Sequence, residues 1–591
     1  MIVRPYLAPT VAPIRLNDTS RLGALMRGGV LYLTVQDAIA LALESDIDLE
    51  VARYNAPLAE WNLERSQAGG ALPGVPSGAS QAGSVANGQG IAGSQAAAGV
   101  AGGGFNGNGA ASNNASISQV GPVAQTLDPL IQENSTFSHI SSPQANPTQT
   151  LSLSLISNTR TYSGSYQQGF LTGGSVTVSY TDHYLSESAA SDILNPSSAP
   201  NLSLSFQHNL LQGFGIAVNA RTINVNRINV NISDLGFRTQ TINLVANVVN
   251  LYYSLAAADE DLRAKRSAVS AAEEFYGESK RREELGAMSH LDVTSAASQL
   301  ASTQSDLIVS ETNARQQEVQ LKNMFSGKGV LDPALAEARI VLLDRMEVPV
   351  TDDLPPVEEM MRQALANRPD LASDQANIAS AQVSAIGTIN GVLPVVQVIG
   401  GASNAGLTGT NHGGADSAVV GGIGNGLAQV FRRDYPTERI GVFGQVKIHN
   451  RQAQADQGID QLTLRQTQLT TQKTLSQVQV DVSNYAVAVR QARVRYQAAV
   501  QNLRLQQQLY DAEQRKQVFG ASTPYNVIQQ QRDWIAAQAT EVSALAAYST
   551  ARVALDQTLG ATLEVNHVSI GDAISGRVAR PSSLPTVLPA R

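Results

Sequence analysis

GAMSHLDV (residues 286–293) interrupts a long polar and alanine-rich region whose pattern is otherwise helical, and GASTPYNV (residues 520–527) interrupts a second such region. Each stretch begins with a glycine, which can adopt the left-handed conformation that ends a helix. Ser289 in the first stretch and Thr523 in the second can cap the helix that follows. Pro524 suits the first helical position, where an N–H group has no intrahelical partner. The two stretches therefore predict the same tight helix-to-helix turn, present twice.

The sequences that flank these turns also resemble each other. VQDAIALALESDIDL (35–49) aligns without gaps with VEEMMRQALANRPDL (357–371), and both have the pattern of an amphipathic helix. Each helix is expected to end at a Leu-Pro pair, at 72–73 and 393–394, because proline cannot continue a helix. Before each turn, apolar residues recur at steps of three, four and seven, the spacing of a coiled-coil seam. An unbroken helix over residues 219–285 would be on the order of 100 Å long.

The intervals between the helices have the pattern of β-strands. LSLSL (151–155), SVTVSY (175–180) and LSLSF (202–206) alternate apolar with small polar residues. Residues 392–399 and 440–448 alternate less regularly. This pattern is typical of strands that face lipid on one side and water on the other, and also of an edge hairpin in a soluble sheet. The strands alone leave both interpretations open.

Two segments are predicted to lie outside the packed structure. No Asp, Glu, Lys or Arg occurs between Ser66 and Leu127, where Gly, Ala, Ser, Asn and Gln dominate. Such a composition predicts a low-complexity insertion that cannot form its own core. The Pro- and Ser-rich stretch from about residue 571 to 591 is predicted to be a loose tail.

Composition excludes several classes of function. The 591 residues carry a net charge of −8, which disfavours a nucleic acid as partner because phosphate contacts need clustered Lys and Arg. The absence of cysteine excludes disulfides, thiolate metal sites, cysteine nucleophiles and a lipid-anchored cysteine. No window approaches the roughly 18 to 20 apolar residues of a membrane-spanning helix. The start of the sequence lacks the features of a secretory signal, so either the protein is cytosolic or the sequence lacks its export signal.

No residue pattern indicates catalysis or metal binding. The seven histidines are scattered, without an HxxxH pair or a carboxylate cluster. SGKG (326–329) lacks the preceding glycine and the following Ser or Thr of a phosphate-binding loop. The glycines of GGIGNG (421–426) lack the strand–turn–helix context of a dinucleotide site, so they are expected to serve loop or strand packing. The sequence therefore predicts a protein that is not an enzyme and has no cofactor or metal.

From Leu33 to about Val565 the chain resembles the TolC-like outer-membrane efflux proteins. The motifs that carry the resemblance are LTVQDAIALALESDIDL (33–49), PPVEEMMRQALANRPDL (355–371), the Leu-Pro exits into strands, NLLQGFG (209–215), HNRQAQAD (449–456) and the paired Gly-x-x-Ser/Thr-x-x-Asp/Asn turns. Each motif is weak alone. Their order, repeated in two halves with two β intervals and two long hairpins, is specific for the family.

The resemblance implies the fold class. The expected structure is an α+β membrane protein that forms a homotrimer, in which each internally duplicated protomer gives four strands to a shared trimeric 12-stranded outer-membrane β-barrel. A long periplasmic α-helical barrel continues from it. The corresponding segments are an N-terminal segment (1–32), a first short helix (33–72), the low-complexity insertion (73–127), first-half strands (128–215), a first long hairpin (216–327) with its tip at 286–292, a linker (328–356), a second short helix (357–391), second-half strands (392–448), a second long hairpin (449–560) with its tip at 520–526, and a C-terminal tail (561–591).

The resemblance also implies what the turns do. In the family they form the periplasmic entrance of the tunnel, where inner helices close like an iris and a periplasmic adaptor (membrane fusion) protein docks. The candidate gate and adaptor-contact residues are Gly286, Ser289, Asp292, Gly520, Thr523, Asn526 and Gln529.

The second turn departs from the family pattern. Asp292 matches an aspartate that the family uses in entrance contacts, but Asn526 and Gln529 stand where the family often has carboxylate rings. Gln517 and Ser522 stand where the best-known member has a tyrosine and an arginine that latch the closed state. The resemblance therefore carries over the location of the gate, but neither its acidic selectivity nor its latch.

The function implied is the outer-membrane channel of a tripartite efflux or type I secretion system. Such a channel is a passive export duct for small molecules or proteins, with an inner-membrane pump supplying the energy. Its partners would be the adaptor, the pump, outer-membrane lipid and two further copies of itself, with no nucleic acid. The alternative is a non-transporting periplasmic or surface coiled-coil scaffold, which the irregular strands and the missing signal favour.

Overall fold

The computed structural model describes residues 11, 20–69, 127–144, 153–326, 333–345, 347–351 and 353–582. The low-complexity insertion predicted for residues 73–127 lies outside these residues except for Leu127, as does most of SGKG. Two compact units divide the chain. Unit 1 comprises Met1–Ala56, Ser233–Ser373 and Thr471–Arg591, and unit 2 comprises Pro57–Ile232 and Asp374–Thr470.

The described helices are α1 (Ser20–Leu25), α2 (Val35–Ser45), α3 (Ile47–Arg53), α4 (Asn55–Gln67), α5 (Ile216–Asn219), α6 (Arg221–Glu284), α7 (His290–Lys322), α8 (Pro333–Glu337), α9 (Val357–Asn367), α10 (Pro369–Gly391), α11 (Ile423–Arg432), α12 (Arg451–Val518), α13 (Pro524–Thr558), α14 (Thr562–Val565) and α15 (Ile570–Ser575). The described strands are β1 (Met26–Arg27), β2 (Val30–Leu33), β3 (Leu130–Pro143), β4 (Ser154–Phe170), β5 (Gly174–Glu187), β6 (Leu194–Asn209), β7 (Arg339–Leu342), β8 (Val395–Ala405), β9 (Thr408–Asn411) and β10 (Tyr435–Gln445). None of the helices in this part of the chain is long and apolar enough to cross a membrane.

The short helix expected at the start of each half is divided into pieces. Asp46 ends α2 and caps α3, accepting the Leu49 N–H on Oδ1 over 2.8 Å. In the second half, Arg368 has extended backbone between α9 and α10. A proline restricts the residue before it to extended conformations, and Pro369 begins α10. Both divisions therefore have local causes that helical periodicity does not show.

The larger core of unit 1 surrounds a small sheet and part of α6. In this sheet β1 is antiparallel to β2, and β2 is parallel to β7. Because β7 lies within residues 328–356, this part of the predicted linker forms a strand of unit 1. Tyr252 is fully buried, and its hydroxyl donates to the Leu33 carbonyl and accepts the Asp344 N–H, both over 3.0 Å. The polar tip of this core residue is thus fully satisfied.

The prediction of a loose C-terminal tail is wrong for residues 571–582. Ala573 on α15 is fully buried, and its carbonyl accepts a hydrogen bond from Arg53 Nε over 2.8 Å. Farther along, Ser582 accepts from Arg21 Nη1 over 2.5 Å and donates to Asp37. Side chains near the start of the chain therefore fix a segment whose own composition has no helical pattern.

Unit 2 contains one antiparallel sheet of six long strands in the order β10-β8-β6-β5-β4-β3, with the short β9 pairing with β6. The strand segments expected from the sequence fall mainly within β4, β5, β6, β8 and β10. The sheet has two more long strands than the four that each chain is expected to give to a barrel, because β3 and β4 precede the pair β5–β6 in the same sheet. The sequence of β3, LIQENSTFSHISSP, lacks regular alternation, so its strand conformation depends on pairing with β4.

The register gives this sheet two faces that differ in their share of apolar residues, because directly opposed residues point to the same side. The more apolar face also carries the charged residues Glu133, Arg160, Asp182 and Glu438, and the more polar face also carries Leu185, Ile399 and Phe443. Val178 on β5 opposes Leu204 on β6, whereas the adjacent pair Ser179 and Ser203 has hydroxyl oxygens 2.6 Å apart on the other face. Apolar residues on the first face are Ile131, Tyr162, Tyr166, Val176, Val178, Leu202, Leu204, Phe206, Val398, Ile440 and Val442. Polar residues on the second face are Gln132, Asn134, Thr136, Ser163, Ser165, Thr177, Ser179, Ser203, Ser205 and Ser403.

Of the glycines in residues 421–426, Gly426 serves close packing, as expected, whereas a Cβ atom on Gly422 or Gly424 would meet nothing within 4 Å. Gly422 precedes α11 as its N-cap residue. A Cβ atom on Gly426 would lie 2.9 Å from Cγ of Pro200, and one on Gly406 would lie 2.3 Å from the Gly426 carbonyl oxygen. This connection between β8 and β10 therefore packs against β6 through residues without side chains.

Candidate functional site: the two helical turns

The first turn, between α6 and α7, has the geometry that its sequence predicts. Gly286 has φ +70, in the left-handed region. Its N–H donates to the Glu283 carbonyl over 2.8 Å, and the Ala287 N–H donates to the Arg282 carbonyl over 2.7 Å. This pair of bonds is the Schellman motif, which satisfies carbonyls left free at the helix end. A Cβ atom would meet nothing within 4 Å, so the conformation alone selects glycine here.

The second turn, between α12 and α13, repeats this geometry. Gly520 has φ +73, and its N–H donates to the Gln517 carbonyl over 3.0 Å. The Ala521 N–H donates to the Lys516 carbonyl over 2.9 Å. A Cβ atom on Gly520 would also meet nothing within 4 Å. The predicted equivalence of the two glycines is confirmed at the level of individual backbone bonds.

Both predicted N-caps are present. Ser289 Oγ accepts the Asp292 N–H over 3.2 Å and donates to Asp292 Oδ2 over 2.7 Å. Asp292 thus bonds the cap hydroxyl, where the expected capping box would have used the cap N–H. Thr523 Oγ1 accepts the Asn526 N–H over 3.4 Å, and Pro524 occupies the first helical position.

A glutamate of the preceding helix contacts a residue of each turn. In the first turn, Glu283 Oε1 lies 2.8 Å from His290 Nδ1. In the second, Glu513 accepts a hydrogen bond from Ser522 and pairs with Lys516 Nζ at 2.9 Å. The bond from Ser522 and the bond from Lys516 hold the pKa of Glu513 below its usual value. Ser522 is therefore engaged within its own hairpin.

The two hairpins contact each other through polar side chains. Arg532 Nε on α13 donates to Oε1 of Gln299 on α7 over 2.5 Å, and Gln299 is buried. Within the second hairpin, the rings of Tyr510 and Trp534 stack with centroids 5.4 Å apart and planes at 3°. Burial, together with the negative charges of Glu274 and Asp511, raises the pKa of the Tyr510 hydroxyl.

The surfaces of both turns expose polar candidates and large apolar side chains. Asn526 and Gln529 are exposed, and Asp292 is half-buried. Beside them, the exposed apolar residues are Leu285, Leu291, Val518, Phe519 and Tyr525, with relative exposures of 82%, 75%, 72%, 85% and 67%. Several large exposed apolar groups beside each turn are typical of a surface that contacts another molecule.

Several residues of this site carry no signal in the sequence. Glu283 and Glu513 read as ordinary charged helix residues, and the pair Arg532 and Gln299 is separated by 233 positions. A signal exists only for Tyr510 and Trp534, since aromatic residues are rare in this chain, at 5%. The chemistry available at the turns is hydrogen bonding and apolar contact. Within the described part of the chain, no three His, Asp or Glu side chains are grouped as metal ligands.

Comparison with known proteins assigns the chain to a family. The family model described as outer membrane efflux protein matches residues 175–327 and 360–561, more than half of the chain. No curated protein matches the sequence. The chain belongs to the outer membrane efflux protein family, so the resemblance seen in its sequence is confirmed.

Solved structures of outer membrane channels share the fold. The Campylobacter jejuni CmeC outer membrane channel has a TM-score of 0.55 and 13% identity, covering 97% of this chain and 98% of that chain. The outer membrane protein VceC from Vibrio cholerae has a TM-score of 0.54 and 12% identity, covering 89% and 96%. The open state of the Neisseria gonorrhoeae MtrE outer membrane channel has a TM-score of 0.51 and 13% identity, covering 90% and 89%.

Family membership establishes the broad function and location. The family consists of outer membrane efflux channels whose helical part lies in the periplasm. This chain is therefore an outer membrane channel protein of efflux systems, and not an enzyme. Both turns belong to unit 1.

Proposed function

We propose that this protein is the outer-membrane channel of a tripartite efflux or type I secretion system. It would act as a passive export duct for small molecules or proteins, assembled as a homotrimer that shares one β-barrel and one periplasmic helical barrel. An inner-membrane pump would supply the energy, and a periplasmic adaptor would connect the pump with the channel. Transport through such a duct needs no catalytic group.

The observation that carries this proposal is the sheet of unit 2. Its two faces differ in chemistry, as lipid and a water-filled lumen would require. Its edge strand β10 pairs only with β8 among the described strands of this chain, and every residue of β10 is exposed. Unpaired strand edges do not occur in the hydrocarbon of a membrane, so the sheet must close with further copies of the chain. The number of copies, three, comes from the family resemblance.

A surface of α12 in unit 1 also supports association between copies. Val478, Val482 and Val489 lie in the core of the unit. Val480 and Val487, on a different side of the helix, are 51% and 61% exposed, and Val494 continues their seven-residue spacing at 58%. A helix that is apolar on two sides requires a second partner, and a heptad spacing suits another helix.

We further infer that the protomer arose by duplication. Each half begins with divided short helices, continues into strands of the shared sheet and ends in a long helical hairpin. The two turns use the same glycine conformation, the same pair of backbone bonds and a hydroxyl N-cap. Such agreement at matched positions supports a common origin for the halves.

The turns are proposed to form the periplasmic entrance and the adaptor contact. Gly286, Ser289, Gly520 and Thr523 would fix the shape of the two tips. Asp292, Asn526 and Gln529 would supply the polar groups of the entrance, which carries fewer carboxylates than the family pattern. The exposed apolar residues beside them would meet the adaptor.

Reconstitution tests this proposal directly. Purified protein in planar lipid bilayers should show stepwise conductance, and it should migrate as a heat-modifiable trimer after detergent extraction. Deletion of the gene should sensitise the host to exported compounds or abolish secretion of a protein. A monomeric product without conductance would overturn the proposal and favour the coiled-coil scaffold.

A further inference from the structure

We infer that the β3–β4 hairpin is part of the membrane-spanning sheet, so that each chain contributes six strands and β3 pairs with β10 of a second copy. This inference rests on the proposed channel function. It changes the dimensions of the channel, because three chains would then close a barrel of eighteen strands where the family resemblance implies twelve. For such barrels the diameter grows roughly in proportion to strand number, so the lumen would be roughly 1.5-fold wider.

The hairpin lies outside the part of the chain that defines the family. The family model begins its match at residue 175, within β5, and both β3 and β4 precede it. Even so, β4 pairs with β5 continuously from Ser157 opposite Glu187 to Phe170 opposite Gly174. With 14 and 17 residues, β3 and β4 exceed the roughly 9 to 11 residues that a tilted strand needs to cross the hydrocarbon core.

Part of the more apolar face continues across the hairpin, where β3 also places Glu133 and His139 on that face. Ile131 on β3 opposes Tyr166 on β4, which opposes Val178 on the apolar face of β5. Ile131 and Tyr166 are 78% and 40% exposed. In the alternate positions, Gln132 opposes Ser165 on the polar face. Ile131 and Tyr166 thus extend the apolar row of Val178 and Leu204 onto the hairpin.

The base of the hairpin is attached to the same end of unit 2 as the other strands. Leu127, just before β3, donates its N–H to the Ala68 carbonyl at the end of α4 over 3.1 Å. In the turn between β4 and β5, the Thr172 carbonyl accepts the Gly215 N–H over 3.0 Å. Gly173 has φ +98, and a Cβ there would lie 2.1 Å from the Gly213 carbonyl oxygen. The end of β4 is thus packed against the connection between β6 and α5.

The free edges have the correct directions to join copies. All six long strands alternate in direction along the sheet, so β3 and β10 run antiparallel to each other. A second copy placed beside the first therefore continues an antiparallel sheet, with its β10 against β3. If the β3–β4 hairpin were not part of the barrel, β5 would be the edge strand of each chain and would pair with β10 of the second copy instead.

Disulfide cross-linking distinguishes these two arrangements, since the chain contains no cysteine of its own. In the full-length channel, Asn134→Cys, Thr136→Cys or Ser138→Cys on β3 is combined with Thr437→Cys, Gly441→Cys or Gln445→Cys on β10. At least one combination should give dimers and trimers on denaturing gels that a reductant returns to monomer. The matched set combines Thr177→Cys on β5 with the same β10 positions. It should give no cross-linked dimers or trimers.

Two controls keep the cross-linking decisive. Ser403→Cys with Thr437→Cys joins directly opposed residues of one chain and should form an intrachain disulfide in either arrangement. In an assembled trimer, cross-links from β5, or none from any β3 combination, would overturn the inference while leaving the channel function intact. Loss of both trimer and conductance would instead contradict the proposed function.

Labelling of neighbouring residues tests the membrane position independently. Phe137→Cys on the apolar face should react with a membrane-soluble maleimide and resist a membrane-impermeant one. Thr136→Cys, the adjacent residue on the polar face, should show the reverse preference in the open channel. Equal reaction of both variants with the impermeant reagent would place the hairpin in water and overturn the inference.

Discussion

Arg532 on α13 donates its Nε–H to Oε1 of Gln299 on α7, and this 2.5 Å bond joins the two helical hairpins of unit 1. Gln299 is 5% exposed. If Arg532 were truncated, the Gln299 amide would therefore lose a strong hydrogen-bond partner without gaining full contact with water. Hydrogen bonds to charged groups contribute about 1.5 to 3 kcal/mol, and solvent around the exposed Arg532 reduces this value.

Truncation of this pair should loosen both hairpins together. Arg532→Ala and Gln299→Ala should each increase hydrogen exchange of amides in the two turns, and the double variant should add little to either. The expected coupling is about 1 kcal/mol. Arg515→Ala, which removes an exposed cation from the same hairpin, is the control and should show no coupling with Gln299→Ala. Strict additivity of Arg532→Ala and Gln299→Ala would contradict the role assigned to the bond.

Replacing either turn glycine with alanine should destabilise the hairpin only through the cost of the left-handed backbone conformation. Gly286→Ala and Gly520→Ala place a side chain in open space but in the left-handed region, at a cost of about 1 to 2 kcal/mol. Gly277 also has open space, but it lies inside α6, so Gly277→Ala should stabilise by about 0.5 to 1 kcal/mol. Hydrogen exchange in the adjoining helical turns measures both effects. The same sign of change at all three positions would argue against the conformational explanation.

A carboxylate at position 526 should alter ion selectivity. Asn526 is exposed at the second turn, and in the proposed trimer Asn526→Asp would add a ring of three negative charges at the entrance. Cation permeability relative to anion permeability should rise, as measured by the reversal potential in a salt gradient. Asn313→Asp adds the same charge to an exposed site farther along α7 and should have a smaller effect. An unchanged reversal potential in Asn526→Asp would remove this side chain from the constriction.

The stability of unit 1 should depend on the protonation of Asp556. Burial raises the pKa of this carboxyl to about 6, with Arg552 opposing the shift and Asp353 adding to it. Arg552 lies between the two acids, 3.6 Å from Asp556 and 3.0 Å from Asp353. Because the folded state binds the proton more tightly than the unfolded state, the free energy of unfolding should fall as pH rises from about 4 to about 6. The decrease should be about 2 to 3 kcal/mol at most.

Thermal unfolding of the detergent-solubilised protein between pH 4 and pH 7 measures this dependence. Asp556→Asn should remove the decrease. Asp370 provides a control of opposite sign, because bonds from Arg368 outweigh burial and lower the pKa of Asp370. Its stabilising contribution is present at neutral pH and is lost as pH falls, so Asp370→Asn should weaken the protein mainly at neutral pH. An unchanged pH profile in Asp556→Asn would show that another group is responsible.

Local signals explain why the turns were predictable. A Schellman motif and an N-cap involve backbone and side-chain groups only a few positions apart, so Gly286, Ser289, Gly520 and Thr523 could be assigned from their order alone. The same holds for α6 and α12, whose apolar spacing persists over many turns. The divided start of each half was missed because the periodicity continues across Asp46 and Arg368, where single residues end the helix.

Long-range partners explain what the sequence could not supply. The acceptor of Arg532 is 233 residues away, and no local pattern selects Gln299 among the many glutamines of α7 and its neighbours. The C-terminal residues up to Ser582 pack because Arg21, Asp37 and Arg53 reach them from the other end of the chain.

The sequence by itself determined the helical hairpins, their capped turns, the alternating strands and the family, because each depends on neighbouring residues or on the order of motifs. Only the tertiary structure decided that β3 and β4 extend the sheet to six long strands. A strand as irregular as LIQENSTFSHISSP gains its conformation from hydrogen bonds with a partner, and the identity of that partner is a property of the folded chain.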